Sequence, residues 1–217
     1  GGPVGFAEVA ERWVLAMAAV VGIGLVPVEA SAQTAIKPYF MVIFDDSGSM
    51  GSSTGGGTNS CGQSRTRIND AKCALQSVVS AFGDVTFGLT SFKEYGTGTT
   101  IHVGIMEDNQ DAIVSWVDFM GTPELVDGGV TPIRDALDDV RAYYQSATGP
   151  VRANGGDPAR GCRPYFVILL HDGEPCCDTR NNQANTVAAA TRLRNTPITG
   201  GPNEDIRAHV VFFGTAG

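Results

Sequence analysis

Two runs along the chain are apolar at every position, Tyr39 to Phe44 (YFMVIF) and Tyr165 to Leu170 (YFVILL). A strand that is hydrophobic on both faces belongs in the middle of a parallel sheet. Both runs end at acidic residues, the first at Asp45-Asp46 and the second at His171-Asp172-Gly173. Val85 to Phe92 and the shorter Thr99 to Ile105 predict two more strands. Gly96 and Gly98 read as the turn between them, which makes an antiparallel hairpin at the sheet edge. Ile206 to Phe213 predicts a last strand. Between the strands the apolar period becomes helical. Ile68, Cys73 (or Ala71), Leu75, Val78, Val79 and Phe82 share one helix face, with Thr66 or Asn69 as its cap. Asn109 to Met120 predicts a helix burying Ile113, Trp116, Val117 and Met120. Pro132 to Tyr144 and Asn182 to Arg194 predict two others, Pro132 suiting a first turn. Gly48 to Ser64, rich in Gly, Ser and Thr, reads as a mobile loop.

Strands alternating with helices imply right-handed crossovers and a mostly parallel sheet. The expected fold is α/β, doubly wound, with helices on both faces. Ligands of such sheets lie beyond the carboxyl ends of the strands, at the switch point. Both fully apolar strands place an Asp at that edge.

Composition narrows the function. The chain carries 42% hydrophobic and 18% charged residues, which suits a globular core. Its net charge is -8, and an acidic chain without a basic patch is a poor partner for nucleic acid. Trp13 to Val28 is nearly unbroken apolar sequence after Arg12, and it leads to Ala30-Ser31-Ala32. That is the layout of a secretory signal peptide cleaved after Ala32. Residues 1–32 are therefore assigned to a signal peptide and preceding residues, and residues 37–217 to the folded domain. The stretch is short of the about 20 apolar residues a membrane span needs, so no stable span is expected after cleavage. Export permits disulfides. Of the 5 Cys, Cys61–Cys73 is the favoured pair, and Cys162 is expected to join Cys176 or Cys177.

The chemistry gathers at the first strand end. In Asp45-Asp46-Ser47-Gly48-Ser49 the residues Asp45, Ser47 and Ser49 alternate, so a turning loop can aim three oxygens at one point. Gly48 is expected to let the backbone approach closely and turn sharply. Hydroxyls and carboxylates are hard ligands, suited to magnesium or calcium rather than zinc or copper. So few carboxylates leave positions for water or ligand, as magnesium prefers.

These residues resemble the DxSxS signature of von Willebrand factor A (vWA) domains and their metal ion-dependent adhesion site. Two further motifs match the family in order. Gly128-Gly129-Val130-Thr131-Pro132 resembles the segment that supplies the family's metal-facing Thr, and Leu169-Leu170-His171-Asp172-Gly173 the one that supplies its second Asp. The resemblance spans about Tyr39 to Gly214. It implies that Ser47 and Ser49 coordinate the ion directly and that Thr131 does so directly or through water. Asp45 and Asp172 would hold the waters and hydroxyls. It implies Mg2+ (or Ca2+ or Mn2+) as cofactor, and a protein or extracellular-matrix partner that supplies an acidic group to the metal. Against the full family pattern, a sixth strand and a terminal helix are missing at the end. Phe44 to Met50 also looks like the start of the vWA region in type IV pilus tip-associated adhesins of the PilY group, which implies pilus components among the partners. The expected setting is secreted, extracellular or cell-surface.

Other readings are weaker. Asp46 is expected to face solvent or backbone amides. His102, His171 and His209 are too scattered for a cluster, and His171 matters only as a neighbour of the site. Trp116 is expected in the core. Asp135, Asp138, Asp139 and Arg141 read as a solvated helix face with local ion pairs. No nucleophile elbow or phosphate-loop ending is present, and a single ion without a general base or arginine clamp holds rather than reacts. The expectation is a binding module, not an enzyme. A metal-dependent hydrolase and a metal-free structural module are the alternatives.

Overall fold

The structure, a computed structural model, describes residues 35–92, 98–152, 156–173, 175, 179–198 and 206–214. The expected signal peptide lies outside these residues. No helix among the described residues is long and apolar enough to cross a membrane.

Strand β1 (Tyr39–Asp45) is followed by a single 3-10 turn and by two short strands, β2 (Ser53–Thr58) and β3 (Ser64–Thr66). Then come α1 (Arg67–Ala81), β4 (Thr86–Phe92), β5 (Thr100–Val103) and α2 (Gln110–Val114). The chain continues through α3 (Ile133–Gln145), β6 (Tyr165–His171), α4 (Gln183–Arg194) and β7 (Arg207–Phe212). The main sheet has the order β5-β4-β1-β6-β7. Strands β4, β1, β6 and β7 run parallel, and β5 is antiparallel to β4. The fold is thus the expected mostly parallel α/β sheet. The chain leaves β1 for β4 on one side and later returns to β6 on the other, so the switch point lies at the end of β1.

Alternation along β1 divides the core. Met41 and Ile43 pack with Val167 and Leu169 against Ala136, Val140 and Tyr144 of α3 and Leu193 of α4. Val42 and Phe44 pack with Phe87 and Leu89 against Ala71, Leu75 and Val79 of α1 and Ile113 of α2. Helices therefore cover both faces. In α1 the cap is Thr66, whose hydroxyl accepts from the Asn69 amide. Val78 and Phe82, expected on its buried face, are exposed.

Three sequence expectations are corrected. The helix expected over Asn109 to Met120 ends at Val114, and Met120 is 86% exposed. The reason lies in α1: Lys72 is buried, and its ammonium reaches Glu124 and the Leu125 carbonyl and sits over the Phe119 ring. A buried ammonium without such partners is costly, and a straight helix through residue 120 does not supply them. The segment Gly48 to Ser64 is not one mobile loop. After its 3-10 turn it forms an antiparallel ribbon of β2 and β3. The expected Cys61–Cys73 bridge ties the end of this ribbon to α1. Closing a loop of that length contributes about 3 kcal/mol in the chain-entropy picture. Among the described residues Cys162 is exposed and forms no bridge, and its expected partners Cys176 and Cys177 lie outside the described residues. Finally, Asp135 is buried and Asp139 half-buried, rather than both solvated. Asp135 accepts from Arg134, Arg180 and Asn181, and Asp139 accepts from the Thr99 amide.

The entry to β6 carries a buried ion pair. Asp157 accepts from Arg163 Nη2 at 3.0 Å and from the Ala159 amide at 2.9 Å, and Arg163 Nε approaches its other oxygen. Arg163 also lies over the Tyr39 ring and donates to the Lys37 carbonyl, so it fastens the start of β1. Burial alone would raise the Asp157 carboxyl. The hydrogen bonds and charge of Arg163 outweigh it and hold the group below its ordinary value. A depressed folded-state pKa gives stability that is complete above the unfolded value and lost as pH falls through the folded one. Thermal melts in an acid series are expected to show a steeper loss for the wild type than for Asp157→Asn below about pH 4. Equal slopes would remove this pair from the acid response.

Candidate functional site

The site is built where β1 and β6 end side by side. Phe44 is in register with Leu170, so Asp45 and Asp172 emerge at the same edge of the sheet. Asp45, Ser47, Thr131 and Asp172 are buried, while Ser49 is exposed. The chain turns at once after β1. Asp45 Oδ1 accepts from the Ser47 amide at 2.8 Å, an Asx-type turn that points the following hydroxyls back over the strand end. Ser47 Oγ lies 3.1 Å from Ser49 Oγ, and Ser49 Oγ donates to Asp172 Oδ1 at 2.8 Å. Four of the five expected residues are thus brought together from two strand ends.

Thr131 arrives on a third segment. The Gly128 amide donates to the Asp46 carbonyl at 2.8 Å, and the Gly48 amide donates to the Gly129 carbonyl at 3.3 Å. These two bonds dock the residues before Thr131 onto the Asp46 to Gly48 turn. Gly129 has φ 76°, a left-handed conformation that glycine adopts without strain. Among the described residues no hydrogen bond joins the Thr131 side chain to the other four. Gly48 departs from its expected role: a Cβ there would meet its nearest atom, the Gly129 carbonyl oxygen, at an ordinary 3.5 Å.

The electrostatics are unbalanced. Burial raises the Asp45 carboxyl above its ordinary value, hydrogen bonds from Ser47 oppose this, and the charge of Asp172 adds to it. Asp45 Oδ2 is buried with no hydrogen-bond partner among the described residues. Asp172 is different, because Arg67 Nη1 donates to its Oδ2 at 2.8 Å. Two carboxylates, one of them with an orphaned buried oxygen, and three hydroxyls suit one hard divalent ion. Among the described residues no cluster of three or more His, Cys, Asp or Glu is found, so the set is mainly neutral oxygen.

Sequence reasoning missed Arg67. The signal was present: Arg67 opens α1, and a cation at a helix N-terminus opposes the helix dipole. It also misplaced Asp46, which is buried and accepts from Ser91 Oγ at 3.0 Å. Ser91 Oγ lies 2.7 Å from His102 Nε2, and that imidazole packs at a tilt of 40° against a half-buried Trp116. His171 Nδ1 lies 2.7 Å from the Gly173 carbonyl, turned to its own loop.

No family model matches the chain, and no curated protein does. Similar solved structures include the D319A mutant of the PilB minor pilin from Streptococcus sanguinis, 18% identical with a TM-score of 0.43. That match covers 69% of this chain and 34% of the other, so this chain spans about a third of the pilin's length. The conserved hypothetical protein BatB from Bacteroides thetaiotaomicron is 15% identical, with a TM-score of 0.46, covering 81% of this chain and 65% of that one. The vWF domain of the type V pili tip protein Mfa5 from Porphyromonas gingivalis is 18% identical, with a TM-score of 0.41, covering 64% and 39%. At these identities and TM-scores the likeness stops short of function.

Proposed function

We propose that this chain is an exported binding module of the vWA type that holds one divalent ion at the end of β1 and offers it to an acidic group of a partner. The single observation behind this reading is the convergence of Asp45, Ser47, Ser49 and Asp172 at one sheet edge, linked by hydrogen bonds of 2.8 to 3.1 Å. Ser47 and Ser49 would bind the ion directly. Thr131 would do so directly or through water. Asp45 and Asp172 would orient hydroxyls and waters around it. When bound, the ion supplies an electrophilic position for a carboxylate. The chain's own residues position it and keep its inner side dry. The module is proposed to hold a ligand rather than to cleave one. The ion is proposed to be Mg2+, with Mn2+ or Ca2+ as substitutes. The partner is proposed to be a surface protein or matrix component, and a pilus-tip setting rests on the resemblance of Phe44 to Met50.

Calorimetric titration of the chain with Mg2+ and Mn2+ tests this directly. One site per chain is expected, with binding removed by excess EDTA. A flat titration with both ions would overturn the reading. A second reading, a module that keeps the fold without metal, is favoured by one observation, the Arg67 guanidinium already bonded to Asp172.

A further inference from the structure

Arg67 stands at the mouth of the site and points into it. Its Nη1 donates to Asp172 Oδ2 at 2.8 Å and lies 3.4 Å from the Ser49 carbonyl. The Asp172 side chain is fully buried, while that of Arg67 keeps 22% of its surface exposed. Residue 67 is also a poor place for a cation on local grounds, because it lies in the first turn of α1. Asp172 is therefore what holds the guanidinium there. The backbone at this position is fixed independently, since the Arg67 amide donates to the Ser52 carbonyl at 3.0 Å. The side chain can swing outward without unwinding the helix start.

We propose that Arg67 is a built-in counter-ion that neutralises Asp172 when the site holds no metal, and that an incoming divalent ion must compete with it for that carboxylate. This rests on the metal-binding reading above and adds a regulation to it. A buried carboxylate left without a cation is costly, so the pair keeps Asp172 aimed at Ser49 in the metal-free protein. The same pair weakens metal affinity, because the ion meets a like charge and a supporting carboxylate already engaged. The two opposing readings of Arg67–Asp172 then become two states of one site. Displaced outward, the guanidinium remains at the rim with its donors free, beside the position where an acidic partner would meet the ion.

The test uses the whole chain and Mn2+ alone as probe. Wild type, Arg67→Gln and Arg67→Lys are titrated by calorimetry and melted with EDTA or with saturating Mn2+. Arg67→Gln is expected to bind Mn2+ about tenfold or more tightly than wild type, since a competing charge is gone. It is also expected to melt at a lower temperature than wild type in EDTA and to recover that deficit with Mn2+. Arg67→Lys keeps the charge and should stay within about threefold of wild type. Equal Mn2+ affinity for wild type and Arg67→Gln, with the same melting difference in EDTA and in Mn2+, would make Arg67 a structural residue and overturn this inference alone. Absence of Mn2+ binding by all three proteins would overturn both this inference and the reading beneath it. Should Arg67→Gln not fold, Arg67→Met takes its place with the same expected results.

Discussion

Removing the two site hydroxyls together, Ser47→Ala with Ser49→Ala, is expected to weaken Mg2+ and Mn2+ binding by about a hundredfold or more while leaving the fold intact. Losing a supporting contact behind a ligand already costs about 10- to 100-fold, and here two proposed ligands go at once. The fold should survive because the bonds that hold the turn after β1 use neither hydroxyl. The Ser47 amide donates to Asp45, Gly48 to Gly129, and Gly128 to Asp46. What is lost in the metal-free protein is the bond between the two hydroxyls and the bond from Ser49 to Asp172. Each is worth about 1 kcal/mol, so the melting temperature should fall by only a few degrees. Calorimetry and thermal melts on the same preparation separate the two effects. Wild-type affinity in the double variant would remove these hydroxyls from the site.

The second large effect has opposite signs for stability and binding. Asp45→Asn is expected to stabilise the metal-free protein and to lower metal affinity by about a hundredfold. Asp45 is buried at the edge of the sheet, with one oxygen unpartnered among the described residues and a second carboxylate close by. An amide of the same shape keeps the acceptor for the Ser47 amide and removes a desolvated charge. The gain should be about 1 to 2 kcal/mol, since a neutral group is less costly to bury than an ion. In a domain of this size that is about 2 to 8 °C in melting temperature. The opposite result, a less stable Asp45→Asn in EDTA, would mean that the carboxylate is compensated by groups not identified above. Stability exchanged for function at one residue is common where a site must hold charge ready for a ligand.

Much of this was legible in the chain itself, for identifiable reasons. The strands β1 and β6 are apolar on both faces because both faces are covered, and such runs are visible without tertiary knowledge. Their ends then locate Asp45 and Asp172. Ser47 and Ser49 follow from the short turn after Asp45, a local feature. The rest depends on contacts far apart in sequence. The short α2 follows from Lys72, on α1, drawing Phe119, Glu124 and Leu125 around its ammonium. The β2–β3 ribbon carries no alternation of apolar and polar residues, so its strands are invisible to period. Its tie to α1 is the bridge from Cys61 to Cys73. Arg67 was overlooked because its partner lies 105 residues away. Asp46 was misread for a related reason, since its partner Ser91 is on a neighbouring strand.

Anomalous scattering from crystals grown with Mn2+ gives the most direct look at the ion itself. A single strong peak is expected beside Ser47 Oγ and Ser49 Oγ, with Asp45, Thr131 and Asp172 around it and the Arg67 guanidinium moved off Asp172. A map with no peak at the end of β1 under saturating Mn2+, with Arg67 still seated on Asp172, would contradict metal-borne recognition by this chain.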